Sequence, residues 1–147
     1  MQPLTAGITK ANTGIDGIVW QILGQTYVPK QVSETSFAWH ATFPPGTSVP
    51  PHIHPTQDEF IYMLEGELIL RENEGETVLS PGDAAGFKAG SGIAHCLVNR
   101  SERDAVYLEV GTRARSERVH YPDVDFMMER DRTGRRYFRK SGEPIRD

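Results

Sequence analysis

Apolar residues recur at every second position in several short stretches of the chain, and glycine or proline separates these stretches. In residues 35–43, Phe37, Trp39, Ala41 and Phe43 fall on one face of an extended segment and His40 falls on the other. Helical periodicity is scarce, so the pattern predicts an all-β sandwich or barrel built from short strands. The predicted strands are residues 18–23, 35–43, 60–64, 67–71, 77–79, 93–99 and 105–110.

Two imidazoles and a carboxylate, His52, His54 and Glu59, lie within eight positions of one another. In an extended segment His52 and His54 share a face. Glu59 follows a turn-like stretch and opens the next strand, so its carboxylate can face back toward them. Imidazoles suit zinc, copper, iron and nickel, and an added carboxylate shifts the preference toward iron and manganese. The set therefore predicts one divalent transition metal ion (Fe, Mn, Ni, Cu or Zn) without choosing among these metals.

The spacing of these residues resembles the cupin superfamily. Residues 46–66 follow its first motif, G, five residues, HxH, four residues, E, six residues, G, without a gap. Its second motif is recognisable at Gly82, Gly90, His95 and Asn99, although Lys88 stands where the motif has proline and two extra residues lengthen the turn before His95. The resemblance implies a single-domain double-stranded β-helix, or jelly-roll barrel, with the metal inside its mouth. It also implies that His52, His54, Glu59 and His95 are the ligands.

If Glu59 faces inward, Ile61 and Met63 share its side of the strand, and Phe60 and Tyr62 face outward. Residues of this inner side and of neighbouring strands are candidates for a substrate pocket, although such apolar residues are more often plain core and a lysine in a turn is more often solvated. The pocket candidates are Trp39, Phe43, Ile61, Met63, Phe87, Lys88 and Leu97. His40 and His120 have no partner at ligand spacing and are interpreted as structural or exposed.

The 147 residues are enough for one domain. We divide it into an N-terminal strand extension (1–34), a barrel core (35–112) and a basic, aromatic C-terminal extension packed on the barrel (113–147). Residues 113–147 carry ten Lys and Arg against seven acids, although the whole chain has a formal charge of −4. The tail is expected to form a hairpin or a helix-to-strand extension. Its interleaved charges favour a salt-bridged face or subunit contact over an anion site.

Several classes of partner are excluded by the same composition. The negative charge gives no general attraction to nucleic acid. No run of 18 apolar residues occurs, and residues 1–5 lack the features of a signal peptide, so we expect a cytoplasmic protein without membrane contact.

The single Cys96 excludes an intrachain disulfide. Because sheet edges need cover, we expect a homodimer, with a small organic molecule as substrate or ligand.

The expected activity is that of a metal-dependent oxidoreductase of dioxygenase type, in which four protein ligands leave positions for dioxygen or a chelating substrate. Glu59 is the candidate catalytic residue, because it could shift between metal ligand and proton acceptor. Two alternatives stay open: a non-enzymatic small-ligand or sugar sensor, and a metal-dependent isomerase or lyase. The isomerase alternative would want Lys or Arg at the barrel mouth, where Lys88 is the sequence candidate.

Overall fold

The chain folds into antiparallel β-sheets, as the alternating pattern predicts. In this computed structural model the described residues are 7–73, 75–114, 116–131 and 133–145, so the prediction about residues 1–5 lies outside them. The described part holds a 3-10 turn at Ile15–Gly17 and no α-helix. Its strands are β1 (Trp20–Ile22), β2 (Gln25–Val32), β3 (Ser36–Phe43), β4 (Glu59–Glu65), β5 (Leu68–Glu72), β6 (Gly75–Leu79), β7 (Ala84–Phe87), β8 (Cys96–Val98), β9 (Ala105–Thr112), β10 (Glu117–His120), β11 (Met127–Asp131) and β12 (Gly134–Phe138).

Two sheets enclose the core. The larger has the strand order β1-β2-β3-β9-β4-β7, and the smaller has the order β6-β5-β8. Apolar side chains from both sheets meet between them, which is the arrangement of a jelly-roll barrel. The prediction of an all-β barrel is therefore confirmed. The core side chains are Ala41, Phe43, Ile61, Met63, Leu68, Leu70, Leu79, Leu97, Ala105 and Tyr107.

Strand β4 has the two faces that the sequence predicts. Glu59, Ile61 and Met63 are buried, whereas Phe60 and Tyr62 are exposed. This alternation aims the Glu59 carboxylate into the barrel, because side chains at every second position of a strand share a face.

Strands β2, β7 and β10 were absent from the prediction, and β2 and β7 show why. Strand β2 contains Pro29, which usually argues against a strand, but the register with β3 shifts between Pro29 and Gln31 and so accommodates it. Strand β7 consists of Ala84, Ala85, Gly86 and Phe87, whose small side chains give no alternating apolar signal. In both cases the neighbouring strand decides the conformation and local preference does not.

The C-terminal segment forms a third sheet of order β10-β11-β12, which we call the tail sheet. The hairpin expected here is confirmed as β11–β12. Strand β10 joins the barrel through a backbone bridge between Ile53 and His120, with Ile53 N–H donating to the His120 carbonyl at 2.8 Å. The tail sheet therefore lies beside the histidine segment. The division of the chain at residues 34 and 112 stays a prediction.

Among the described residues, no helix has the length and apolar character needed to cross a bilayer.

Candidate metal centre

His52 and His95 lie opposite each other in a backbone bridge. His52 N–H donates to the His95 carbonyl at 3.1 Å, and His95 N–H donates to the His52 carbonyl at 3.2 Å. Directly opposed residues of an antiparallel pair project to the same face. The His95 imidazole therefore lies on the same side as His52, with its ring centroid 4.6 Å away.

The lengthened turn before His95 packs against the first histidine segment. Gly90 N–H donates to the His54 carbonyl at 3.3 Å, and Ala89 N–H donates to Asp58 Oδ1 at 2.8 Å. The additional residues are thus absorbed within the turn. His95 keeps its register with His52 although the spacing departs from the motif.

The functional nitrogen atoms converge on one carboxylate oxygen. His54 Nε2 lies 3.0 Å from Glu59 Oε1, and His95 Nε2 lies 3.8 Å from the same oxygen. His52, His54 and Glu59 each place a ligand atom within 4.8 Å of the other two. These three residues could hold one metal ion, and His95 lies at the edge of the same group.

The hydrogen bonds around this group fit a bound cation. His52 Nδ1 lies 3.0 Å from the Pro50 carbonyl oxygen, which can only accept, so Nδ1 carries the proton and Nε2 keeps its lone pair. Glu59 Oε1 is buried and has no hydrogen-bond partner of acceptable geometry in the described part of the chain. A buried carboxylate oxygen without a donor is costly unless a cation neutralises it.

Glu117 supports the centre from the tail sheet. Its side chain is fully buried, its Oε1 lies 3.6 Å from His54 Nδ1, and its Oε2 accepts a hydrogen bond from the Thr56 hydroxyl. A carboxylate behind a ligating histidine fixes the ring and raises its basicity. Sequence reasoning missed Glu117 because it belongs to no motif. The burial of Glu117 and Val119 between exposed neighbours is visible only in the structure.

The four candidate ligands have strongly perturbed pKa values. Burial raises the pKa of Glu59, but the His54 imidazole 3.0 Å away, with the charges of His52 and His95, lowers it overall to about 2. Burial lowers the pKa of His54, but Glu117 and Glu59 raise it overall to about 10. Burial, reinforced by His52, lowers the pKa of His95 to about 4, and burial also lowers that of His52. In the metal-free protein at neutral pH, Glu59 is therefore ionised, His54 is protonated, and His52 and His95 are neutral.

A second carboxyl group, Glu109, lies beside Glu59 on the next strand. Trp39 lies opposite Glu109 in the β3–β9 register, and its indole N–H donates to Glu109 Oε2. Burial and the negative charge of Glu59 raise the pKa of Glu109 well above its usual range. These surroundings favour the protonated, neutral form of Glu109. Nothing in its local sequence distinguishes it from other acids in strands.

These groups line a cavity of about 260 Å³. Of the sequence candidates, Trp39, Ile61, Phe87 and Leu97 lie on its wall, and Phe87 stacks on the His95 ring at 3.8 Å. The structure places the other candidates elsewhere: Phe43 and Met63 are in the core, Lys88 is exposed in its turn, His40 is on the outer side of β3 and His120 is exposed.

Within the described ranges, Arg113, Arg130 and Arg135 line the cavity, whereas the sequence offered only Lys88 as a cation. Arg130 and Arg135 come from the tail sheet and lie directly opposite each other in the β11–β12 register. They were missed as a group because their placement depends on how the tail folds over the barrel.

Comparisons with known proteins agree with this geometry. A family model described as "Cupin domain" matches residues 39–111. A solved structure from Silicibacter pomeroyi DSS-3, described as a sugar phosphate isomerase from a cupin superfamily, is 33% identical, with a TM-score of 0.77 over 84% of this chain and 81% of that one. The chain belongs to the cupin superfamily.

Two further proteins are similar to this cupin in sequence. A structure from Thermus thermophilus is 32% identical, with a TM-score of 0.55 over 60% of this cupin and 83% of that chain. The tetracenomycin polyketide synthase protein TcmJ of Streptomyces glaucescens is 41% identical over 73 residues, which are 49% of this cupin and 48% of that protein. The match therefore spans about half the length of that curated relative.

Proposed function

We propose that this cupin is a metal-dependent enzyme of isomerase type, which moves a proton between a carbon and a neighbouring oxygen of a small organic carbonyl compound. The ligands in this proposal are His52, His54, Glu59 and His95. A bound divalent ion would polarise the carbonyl group and acidify the adjacent C–H bond.

The observation that carries the proposal is the carboxyl pair of Glu59 and Glu109. Both side chains line the cavity, and their surroundings move their pKa values in opposite directions, down for Glu59 and up for Glu109. Neighbouring titratable groups whose environments drive their pKa values apart are a recurring arrangement of acid and base. The relative from Silicibacter pomeroyi, described as a sugar phosphate isomerase, supports the same reaction class.

The proton balance needs only these two side chains. Glu59 would accept the proton from the hydroxyl-bearing carbon of a hydroxycarbonyl compound, and Glu109 would donate its proton to the carbonyl oxygen, which gives an enediol. Glu59 would then give its proton to the former carbonyl carbon, and Glu109 would take the proton of the other hydroxyl group. The carbonyl group has then moved to the neighbouring carbon, and both carboxyl groups are restored. The cavity is slightly smaller than the roughly 300–1,000 Å³ typical of ligand sites, which suits a small substrate.

Dioxygenase chemistry stays a prediction. A centre of three histidines and one carboxylate suits several ions, and no residue of the described chain favours dioxygen over a proton-transfer substrate. A sensor that binds a ligand without turnover would use the same cavity. The experiment below separates the three activities.

The test is exchange of substrate hydrogen with solvent. The protein, loaded separately with Fe²⁺, Mn²⁺, Ni²⁺ and Zn²⁺, is incubated in D₂O with a panel of hydroxyketones and of aldose and ketose phosphates, and the C–H signals are followed by proton NMR. We expect exchange with at least one compound. We expect Glu109→Gln to slow it by about 100-fold or more, because a general acid contributes about 10²–10⁴ to the rate. The exposed Glu67→Gln is the matched control.

Metal content of each variant is measured in parallel, so that a lost ion is not mistaken for a lost acid. Oxygen uptake without exchange would replace this proposal with the dioxygenase, and saturable binding without either would replace it with a sensor. Unchanged exchange in Glu109→Gln would remove Glu109 from the mechanism.

A further inference from the structure

The tail sheet separates its arginines between two faces. Because side chains alternate along strands, Glu117, Arg130 and Arg135 share the face toward the cavity, and Arg118, Glu129 and Arg136 share the opposite face. The two faces differ in how their charges are compensated.

On the outer face, the arginines pair with neighbouring carboxylates of the same sheet. Arg118 pairs with Glu129, and Arg136 lies 2.5 Å from Asp131 Oδ2 and 3.9 Å from Glu129 Oε2. These contacts are the salt-bridged face that the interleaved charges of the tail predict. They require no ligand.

The inner face holds two like charges in direct opposition. Arg130 and Arg135 are cross-strand partners, and like charges so placed destabilise a sheet unless something lies between them. In the described part of the chain, neither forms an ion pair with a carboxylate within 4.0 Å, and the Arg130 guanidinium has only the Ala114 carbonyl oxygen at 3.5 Å. Burial and the charge of Arg135 lower the pKa of Arg130, as expected for cations held together.

The inner arginines are connected to the candidate metal centre through Glu117, which contacts His54. Glu117 lies opposite Arg130 in the β10–β11 register, but its carboxylate oxygens are directed to His54 Nδ1 and the Thr56 hydroxyl. The same cavity also receives Arg113 from the loop after β9. The cavity thus has metal ligands in one part and guanidinium groups in another.

We infer that Arg130 and Arg135, with Arg113, form an oxyanion subsite, so that the substrate of this cupin carries a phosphate or carboxylate group that the tail sheet holds while its carbonyl end reaches the metal centre. Guanidinium groups suit both anions because their paired N–H donors match two oxygen atoms at once. The statement that the carbonyl end of the substrate reaches the metal centre rests on the proposed function. The statement that these arginines bind an anion does not.

The test is titration of the whole 147-residue chain, as purified and after removal of divalent ions, with inorganic phosphate and separately with succinate, by isothermal calorimetry. We expect saturable binding of at least one anion at one site per chain, still present without metal. Arg130→Gln and Arg135→Gln should each weaken it by about tenfold or more, because each removes a charge-assisted contact. Arg118→Gln and Arg136→Gln, on the outer face of the same sheet, are the matched controls and should change the affinity by less than about twofold.

Circular dichroism melts of all variants establish that each is folded. Arg135→Lys keeps the positive charge but lacks the paired N–H donors of the guanidinium group, so it should reduce anion affinity by less than Arg135→Gln does. Preference for phosphate or for succinate identifies which anion the substrate carries. The inference is overturned if neither anion binds saturably, or if inner and outer variants weaken binding equally. Anion binding that persists when no hydrogen exchange is found would reject the proposed function and leave this subsite standing.

Discussion

Three of the candidate ligands, His52, His54 and Glu59, could be identified from the chain because they are close together in sequence. Strand periodicity places His52 and His54 on one face, and Glu59 opens the next strand after a turn-like stretch, so that its carboxylate can face back toward them. Glu109 and Glu117 could not be found in this way. Each reaches the centre through strand pairing with a distant segment, so its role depends on the register of the sheets and not on local spacing.

The contact between Glu117 and His54 leads us to expect an unusual pH dependence of metal binding. The pKa of His54 is raised to about 10, so the metal-free protein holds this proton up to alkaline pH, and an incoming ion must displace it. Affinity should therefore rise about tenfold per pH unit from pH 7 toward 10, with close to one proton released per ion at pH 8. An ordinary histidine, with a pKa of about 6.5, would release almost none there.

Calorimetry of Mn²⁺ binding at pH 8 in buffers of different ionisation enthalpy measures this release directly. In Glu117→Gln the pKa of His54 should fall and most of the release should disappear, whereas the exposed Glu67→Gln should behave as the wild type. Equal release from the wild type and from Glu117→Gln would show that the carboxylate does not hold the proton on His54.

At the scale of single elements, strands with alternating apolar residues were predictable and strands stabilised by their neighbours were not. The β3 and β4 faces followed from local periodicity, whereas β2 and β7 lacked it. The position of His95 required the structure, because the lengthened turn could have moved the histidine to either face. The backbone bridge to His52 settles its direction, and no local pattern encodes that bridge.

The turns that flank the histidine segment give a test with an internal control. Gly46 and Gly66 both have positive φ, at 80° and 69°. An added Cβ at Gly46 would meet no atom within 4 Å, but at Gly66 it would overlap the Asp104 carbonyl oxygen. We expect Gly46→Ala to cost about 1 kcal/mol of unfolding free energy from backbone strain alone, and Gly66→Ala to cost about 3 kcal/mol or more.

Urea unfolding of the two variants beside the wild type gives both values. Similar losses in the two variants would mean that β4 and β5 adjust around the new methyl group and that the close approach to Asp104 does not constrain the turn.

At the scale of the whole molecule, the family and the barrel followed from the motifs, but the cation-lined part of the cavity did not. The interleaved charges of the tail pointed to a salt-bridged face, and the outer side of the tail sheet has that character. The inner side emerges only when β10 docks beside the histidine segment and turns alternate arginines inward. The homodimer and the cytoplasmic location stay predictions.

The central claim is that His52, His54, Glu59 and His95 hold one metal ion in this cavity. Elemental analysis of untagged protein, loaded in turn with Fe²⁺, Mn²⁺, Ni²⁺, Cu²⁺ and Zn²⁺ and then desalted, tests it beside a His52→Ala/His54→Ala variant and a His40→Ala control on the outer side of β3. We predict close to one ion per chain for at least one metal in the wild type and in His40→Ala, and loss of that ion in the double variant. Full stoichiometry in the double variant, or no retained ion in the wild type with any of the five metals, would contradict the account.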